Sequence, residues 1–370
     1  MKHFFPSLLP KQLPLTAILL SLALLWTCQA DENSPNEDPT SSAQKQVSDS
    51  PEALVRALSL QIDQNPKDYA LYESRSQAYY ELDSISEAVQ DIDQAIRLYR
   101  NGPELHYWKG FLAFSQDDTA TAMDEYQAAI GLGTQNPETY YQIGQIFFLQ
   151  NKYEQAASFY QQAAKIDPNE PLYVFAQGFL EESLRHHSKA VPLYLESIRI
   201  DSTFDKAYAR LHDVYYHSYE NEEEAMKYND LLLSQIPTHP LGQFNQGLYH
   251  LRKAIAILNQ AELPIFKQRV NDAVVAFTIC VNKDPQFVQA WYNRGYCYWL
   301  GDGQESRAIE DFQRVVQLQP DHATAHFMLG SIFEKNGDFQ TSLHHYEKAA
   351  SFNPESADFQ KAVSEVKARL

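Results

Sequence analysis

Gly110, Gly144 and Gly178 lie 34 residues apart, and each is followed twelve positions later by an alanine, Ala122, Ala156 or Ala190. Four residues beyond each alanine stands a tyrosine: Tyr126, Tyr160 or Tyr194. The pattern returns as Gly295, Ala308, Phe312, Pro320 and as Gly330, Ser342, Tyr346, Ala349, Pro354. A period of about 34 residues restricts the chain to stacked copies of one supersecondary unit, none of which can bury its apolar face alone. The 370 residues therefore need no division into conventional domains.

Within each unit the spacing is helical. Tyr140, Gly144 and Phe147 share one helical face, as do Trp291, Gly295 and Tyr298. A second helix carries Ala156, Tyr160 and Ala163, or Ala88, Ile92 and Ala95, again on one face. The small residues let two backbones approach closely, and the rings fill the space between units. Proline ends the second helix at Asp167-Pro168, Ile236-Pro237, Asp284-Pro285 and Asn353-Pro354.

These residues resemble the tetratricopeptide repeat family. The resemblance implies an all-α fold, a right-handed superhelical solenoid of about eight helix-turn-helix repeats. The repeats are expected near 69–102, 103–136, 137–170, 171–204, 205–239, 240–287, 288–322 and 323–354, within a solenoid spanning 51–370. A preceding helix with Leu54, Leu58 and Ile62 on one side should cap the first repeat. Residues 355–370, with Phe359, Val363, Val366 and Leu370 in a stripe, should cap the last.

Three repeats depart from the pattern. The fourth carries Pro192 inside its second helix. The fifth has His212 at the glycine position and Asn229 at the aromatic position, and gains one residue before Ala225. The sixth is longer by about 14 residues between Gly247 and Ala273. Its first helix should run on through Ile257 and Leu258, turn at Glu262-Leu263-Pro264 and return from Ile265-Phe266 as a projecting hairpin. That hairpin either packs on itself or docks a partner.

The N-terminus has the form of an export signal, expected over residues 1–27: Lys2 and Lys11 supply positive charge ahead of an apolar run from Leu15 to Trp26. The run is too short to span a bilayer, which takes about 20 apolar residues. Leu25-Trp26-Thr27-Cys28 resembles a bacterial lipobox, which implies lipidation of Cys28 and attachment to the outer membrane, facing the cell surface or the periplasm. Residues 28–50 are acidic and rich in Ser, Pro and Gln, a composition suited to a tether.

The composition bears on partners. Net charge is −18, with acidic residues spread along the whole chain. The basic stripe that nucleic-acid binding requires is absent, so no nucleic-acid partner is expected. No catalytic motif is present. Gly131-Leu132-Gly133 and Gly301-Asp302-Gly303 are turns, and neither completes a phosphate loop. His326 stands where other repeats carry Tyr or Trp, which makes packing a better account than a metal site with His322, His344 or His345. Cys280 and Cys297 occupy small-residue positions and read as buried hydrophobes, with a disulfide as the competing reading. No enzyme activity, metal or small-molecule cofactor is expected.

In the family resembled, the second, fifth, ninth and twelfth positions of each first helix line a concave groove. Carried over, these positions give Glu104, Tyr107, Phe111 and Phe114; Glu138, Tyr141, Gln145 and Phe148; Leu172, Phe175, Phe179 and Glu182; and Gln289, Tyr292, Tyr296 and Trp299. The basic residues of a carboxylate clamp are missing, Lys206 being nearly alone. A ring-lined groove suits an extended peptide or a protein segment. The expected function is a non-catalytic, lipid-anchored scaffold for a protein or peptide partner, tied to the membrane only through its lipid. The competing reading is a glycan- or nutrient-binding surface lipoprotein that uses Trp108, Trp291 and Trp299.

Overall fold

The computed structural model describes residues 50–257, 263–301 and 303–370. The export signal, Cys28, nearly all of the tether, and Leu258 and Glu262 of the expected hairpin lie outside the described residues, while Leu263 and Pro264, expected in its turn, are helical. Every helix is α except one short π-helical turn, and the described residues contain no strand. The chain divides into two compact bodies at Arg100 and Asn101.

The first body contains α1 (Pro51–Gln64), α2 (Tyr69–Glu81) and α3 (Ile85–Leu98). The Ser50 hydroxyl caps α1 by accepting from the Ala53 amide at 3.2 Å, and Pro51 opens the helix where an amide hydrogen has no partner to lose. Leu58 and Ile62 are buried, but Leu54 is 44% exposed. The three leucine and isoleucine positions share a stripe, and only two of them are covered. At the small-residue position of α2, the Ser76 hydroxyl donates to the Ala88 carbonyl at 2.7 Å, tying α2 to α3. Arg75 grips Asp91 with two bonds of 2.7 and 2.8 Å.

The second body begins with three regular helix pairs: α4 (Pro103–Ser115) with α5 (Thr119–Gly131), α6 (Pro137–Leu149) with α7 (Tyr153–Ile166), and α8 (Pro171–Ser183) with α9 (His187–Ile200). The tight turn inside each pair places one residue in the left-handed region, Asp117, Asn151 or Arg185. Each crossing is an interlock of one glycine and one ring. A Cβ added at Gly144 would lie 2.6 Å from the Tyr160 ring, and one at Gly110 would lie 2.8 Å from that of Tyr126. Tyr126, Tyr160 and Tyr194 are almost completely buried. Pro192 is accommodated within α9, two residues from the buried Tyr194.

The next pair is α10 (Asp205–Asp213) with α11 (Glu222–Gln235). The residue gained by this repeat is absorbed in a π-helical turn, Val214–Ser218, where the Tyr219 amide reaches the Val214 carbonyl at 3.1 Å. The left-handed residue moves one place to Glu220. α12 (Pro240–Ile257) and α13 (Leu263–Lys283) are the lengthened pair. Leu251, Ala254, Phe266 and Val270 join Phe277 in one buried cluster, so the two extensions pack on each other. α13 starts at Leu263, two residues ahead of the expected Ile265.

α14 (Val288–Leu300) pairs with α15 (Glu305–Leu318), and α16 (Ala323–Lys335) with α17 (Phe339–Phe352). Phe312 and Tyr346 fill the interlocks of these pairs against Gly295 and Gly330. α18 (Ala357–Lys367) closes the array by burying Phe359 and Val366. Leu370 lies beyond the end of α18 and is 62% exposed, so the apolar stripe stops before it. Cys280 and Cys297 are both buried and unbonded, as small hydrophobes. Among the described residues no helix is long and apolar enough to cross a membrane.

Candidate functional site

The candidate groove residues sit on the first helix of each pair, where the four- and three-residue spacing brings them to one face. The second body sorts them into two groups. The first spans α4, α6 and α8. Tyr107, Phe111, Phe114 and Phe179 are half-buried there, whereas Tyr141, Phe148 and Phe175 are buried. The buried rings are covered by other rings. Tyr141 meets Tyr160 and Tyr173 at centroid distances of 5.8 and 5.6 Å. Phe148 meets Phe179 at 5.6 Å, and Phe175 meets Phe204 edge-on at 5.3 Å. The second group is on α14. Tyr292 stacks on His322 at 5.1 Å, and Tyr296 lies 5.6 Å from Trp299, which is 37% exposed. No ring contact joins the two groups among the described residues. Of the other tryptophans, Trp291 donates to the Pro285 carbonyl at 3.0 Å and lies under the Arg294 guanidinium, while Trp108 stacks on Phe111.

Three carboxylates stand at the positions of the first group: Glu104 is exposed, and Glu138 and Glu182 are half-buried in different surroundings. Glu182, in the last turn of α8, is held by the Arg210 guanidinium of α10 and accepts a 2.5 Å bond from the Tyr194 hydroxyl. The same guanidinium lies 5.7 Å from the Phe179 ring centroid. Glu138, in the first turn of α6, has neutral donors instead. Gln142 Nε2 donates to Oε1 at 2.8 Å, and the Tyr173 hydroxyl donates to Oε2 at 3.2 Å. Burial pushes the Glu138 carboxyl above its ordinary range, and the nearby Glu170 raises it further. Burial first, then the charge of Glu138, raises the Tyr107 and Tyr141 phenols. Tyr173 and Glu170 lie outside the groove register, at the start of α8 and one residue before it. Only stacking of α8 on α6 reveals them, although Tyr173 is 35 residues from Glu138, close to one repeat period.

Away from these rings, a cleft of about 690 Å³ between α11 and α12 is lined by Glu222, Met226, Asp230, Tyr249 and Lys253. Glu222 opens α11, favoured there by the helix dipole, and is paired with both Arg252 at 3.0 Å and Lys253 at 2.7 Å. His326 and His345 face each other through their Nδ1 atoms at 3.0 Å. Among the described residues no three His, Cys, Asp or Glu side chains converge as metal ligands.

Comparison with known proteins agrees with the architecture. Tetratricopeptide repeat profiles match residues 137–170 and residues 74–137 and 300–357. A tetratricopeptide repeat and J domain-containing co-chaperone, DNJ1, of Fusarium oxysporum is 30% identical over 103 residues, 28% of this chain and 19% of that protein. Superkiller protein 3 of Saccharomyces cerevisiae is 24% identical over 203 residues, 48% of this chain and 14% of its own length. The chain thus spans less than a fifth of either relative. Among solved structures, a monomeric mutant of IFIT1 with Gppp-AAAA superposes with a TM-score of 0.50 at 16% identity, covering 89% of this chain and 79% of that one. At that identity the likeness extends to the fold alone. The spacing, the glycine–ring interlocks and these matches converge: the chain contains tetratricopeptide repeats and has the all-α solenoid fold built from them.

Proposed function

We propose that this chain is a non-catalytic interaction scaffold that holds an extended segment of a protein partner against the rings of α4, α6 and α8. The observation that carries this reading is the run of half-buried rings, Tyr107, Phe111, Phe114 and Phe179, set on a layer of fully packed ones. A rigid aromatic surface buries large apolar area on binding with little loss of side-chain freedom. The matched repeats are consistent with a scaffold for protein partners. The anchor in this proposal is a lipid on Cys28, at the end of an otherwise complete export signal, which would hold the scaffold at a bacterial outer membrane.

The test is photo-crosslinking in intact cells from position 179, with an exposed position such as Gln161 on α7 as control. Capture of one defined protein from position 179 alone is expected, and its loss when Tyr107 and Phe114 are both changed to alanine. Equal capture from both positions overturns the groove. For the anchor, Cys28→Ser should release the chain from the membrane fraction, and retention would refute lipidation. The half-exposed Trp299 beside Tyr296 favours one second reading, a sugar stacked on α14. Saturable glycan binding abolished by Trp299→Ala would establish it.

A further inference from the structure

We propose that Glu138, ringed by Tyr107, Tyr141 and Tyr173, is the subsite that receives a lysine or arginine side chain of the bound segment. The inference rests on the peptide-groove reading and adds the charge of the partner.

The carboxylate of Glu138 stands out because of what surrounds it. Four other buried or half-buried carboxylates of this fold carry a cation. Asp311 is gripped by Arg294 through two bonds of 2.8 Å, and Asp91 by Arg75. Glu125 has Lys109 at 2.8 Å, and Glu182 has Arg210. Glu138 has no ion-pair partner among the described residues. The groups facing it are Tyr107 from α4, Tyr126 from α5, its own helix's Tyr141 and Gln142, Tyr173 from α8 and Glu170 just before α8. All are neutral or acidic. Two neutral donors leave part of the acceptor capacity of a carboxylate unfilled. Glu138 is half-buried, and drawing such a group even partly out of water without a counter-charge is costly, despite the helix N-terminus beside it.

Tyr126 forms the floor below Tyr107 and offers Glu138 no charge. Tyr126 is wholly buried beneath Tyr107, with ring centroids 5.9 Å apart. Its hydroxyl lies in the field of Glu138 and Tyr107 and has no hydrogen-bond partner. An entering ammonium or guanidinium brings what the Glu138 carboxylate lacks: several proton donors, a positive charge against it, and attraction to the tyrosine faces beside it. The formal charge of −18 would attract a basic segment from a distance. Side by side, Arg210 over Phe179 and against Glu182 is an internal example of the arrangement that Glu138 leaves open for a partner.

The experiment uses the full chain in detergent and a phage-displayed random peptide library. Selected peptides should share a lysine or arginine. Such a peptide should bind E138Q on the order of 10–100-fold more weakly. Its counterpart with norleucine at the basic position should bind the unaltered chain equally weakly and should not distinguish it from E138Q. The norleucine comparison needs no variant and stands even if E138Q folds poorly. Peptides that show no basic preference, are lost with F179A and are indifferent to E138Q overturn the subsite and leave the groove intact. If no peptide is selected, or selected peptides bind F179A undiminished, the groove itself is refuted and the subsite with it.

Discussion

The third and fifth repeats solve the same packing problem in opposite ways. In the third, Gly144 contributes no side chain and the buried Tyr160 ring fills the crossing. In the fifth, the first helix brings the larger residue, His212, and the second brings the smaller, Asn229, and both are buried. Asn229 turns its amide to the next pair, donating to the Gly242 carbonyl at 3.1 Å, while its own carbonyl oxygen lacks a partner. The fifth repeat also carries the π-helical turn. The fold therefore accepts a larger residue at the first of these positions together with a smaller one at the second. The exchange replaces ring packing with polar contacts that are incompletely satisfied, which makes the fifth repeat the softer of the two.

Truncating both fillers should break the comparison most visibly. Tyr160→Ala is expected to cost about 3–5 kcal/mol, because the cavity lies in a fully packed crossing. Asn229→Ala should cost clearly less, about 1–2 kcal/mol, because it removes a bond of modest net worth together with an unsatisfied oxygen. Urea unfolding of the two variants measures the gap, and equal losses would remove the distinction between the repeats. A smaller effect is expected for Gly144→Ala, about 1–3 kcal/mol, since its Cβ would meet the Tyr160 ring at 2.6 Å and the packed ring has little room to move. Gly131→Ala, where an added Cβ meets nothing within 4 Å, should leave stability unchanged or slightly raised and serves as the control.

The smallest effect concerns pH. Where the third repeat has Phe159 before its interlocking tyrosine, the eighth has His345 before Tyr346. Burial, reinforced by His326, His344 and Lys348, lowers the His345 imidazole to about 4. The unfolded chain takes up this proton near its ordinary value of 6.5 and the folded chain resists it, so stability should decline as pH falls from about 6.5 toward 4. His345→Phe, which restores the residue type of the third repeat, should flatten that part of the stability profile. An unchanged profile would show that His345 does not set it.

The spacing of Gly144, Ala156 and Tyr160 made the helix pair legible because contacts within a pair are local, as between Gly144 and Tyr160, which share one crossing within a single repeat. The extra residue of the fifth repeat could be counted in the sequence, but its conversion into a π-helical turn could not. The groove was legible only as a register. Tyr107 and Tyr141 hold equivalent positions and each packs on the tyrosine of its own crossing, yet the first is half-buried and the second buried, because Tyr173 covers Tyr141 where Tyr107 has only Thr139 at the corresponding place. Leu54 and Leu370 failed as cap residues for a related reason: a helical stripe says which residues share a face and not how far the neighbouring helix extends.

Sequence alone settled the repeat, the all-α class and the identity of the residues at each crossing, because short-range periodicity dictates which side chains share a helical face. Only the tertiary structure decided which rings keep an open side and which carboxylates find a cation. Arg210 reaches Glu182 across 28 residues, while among the described residues nothing basic pairs with Glu138. Those outcomes depend on how one pair stacks on the next, and no single repeat's sequence contains that information.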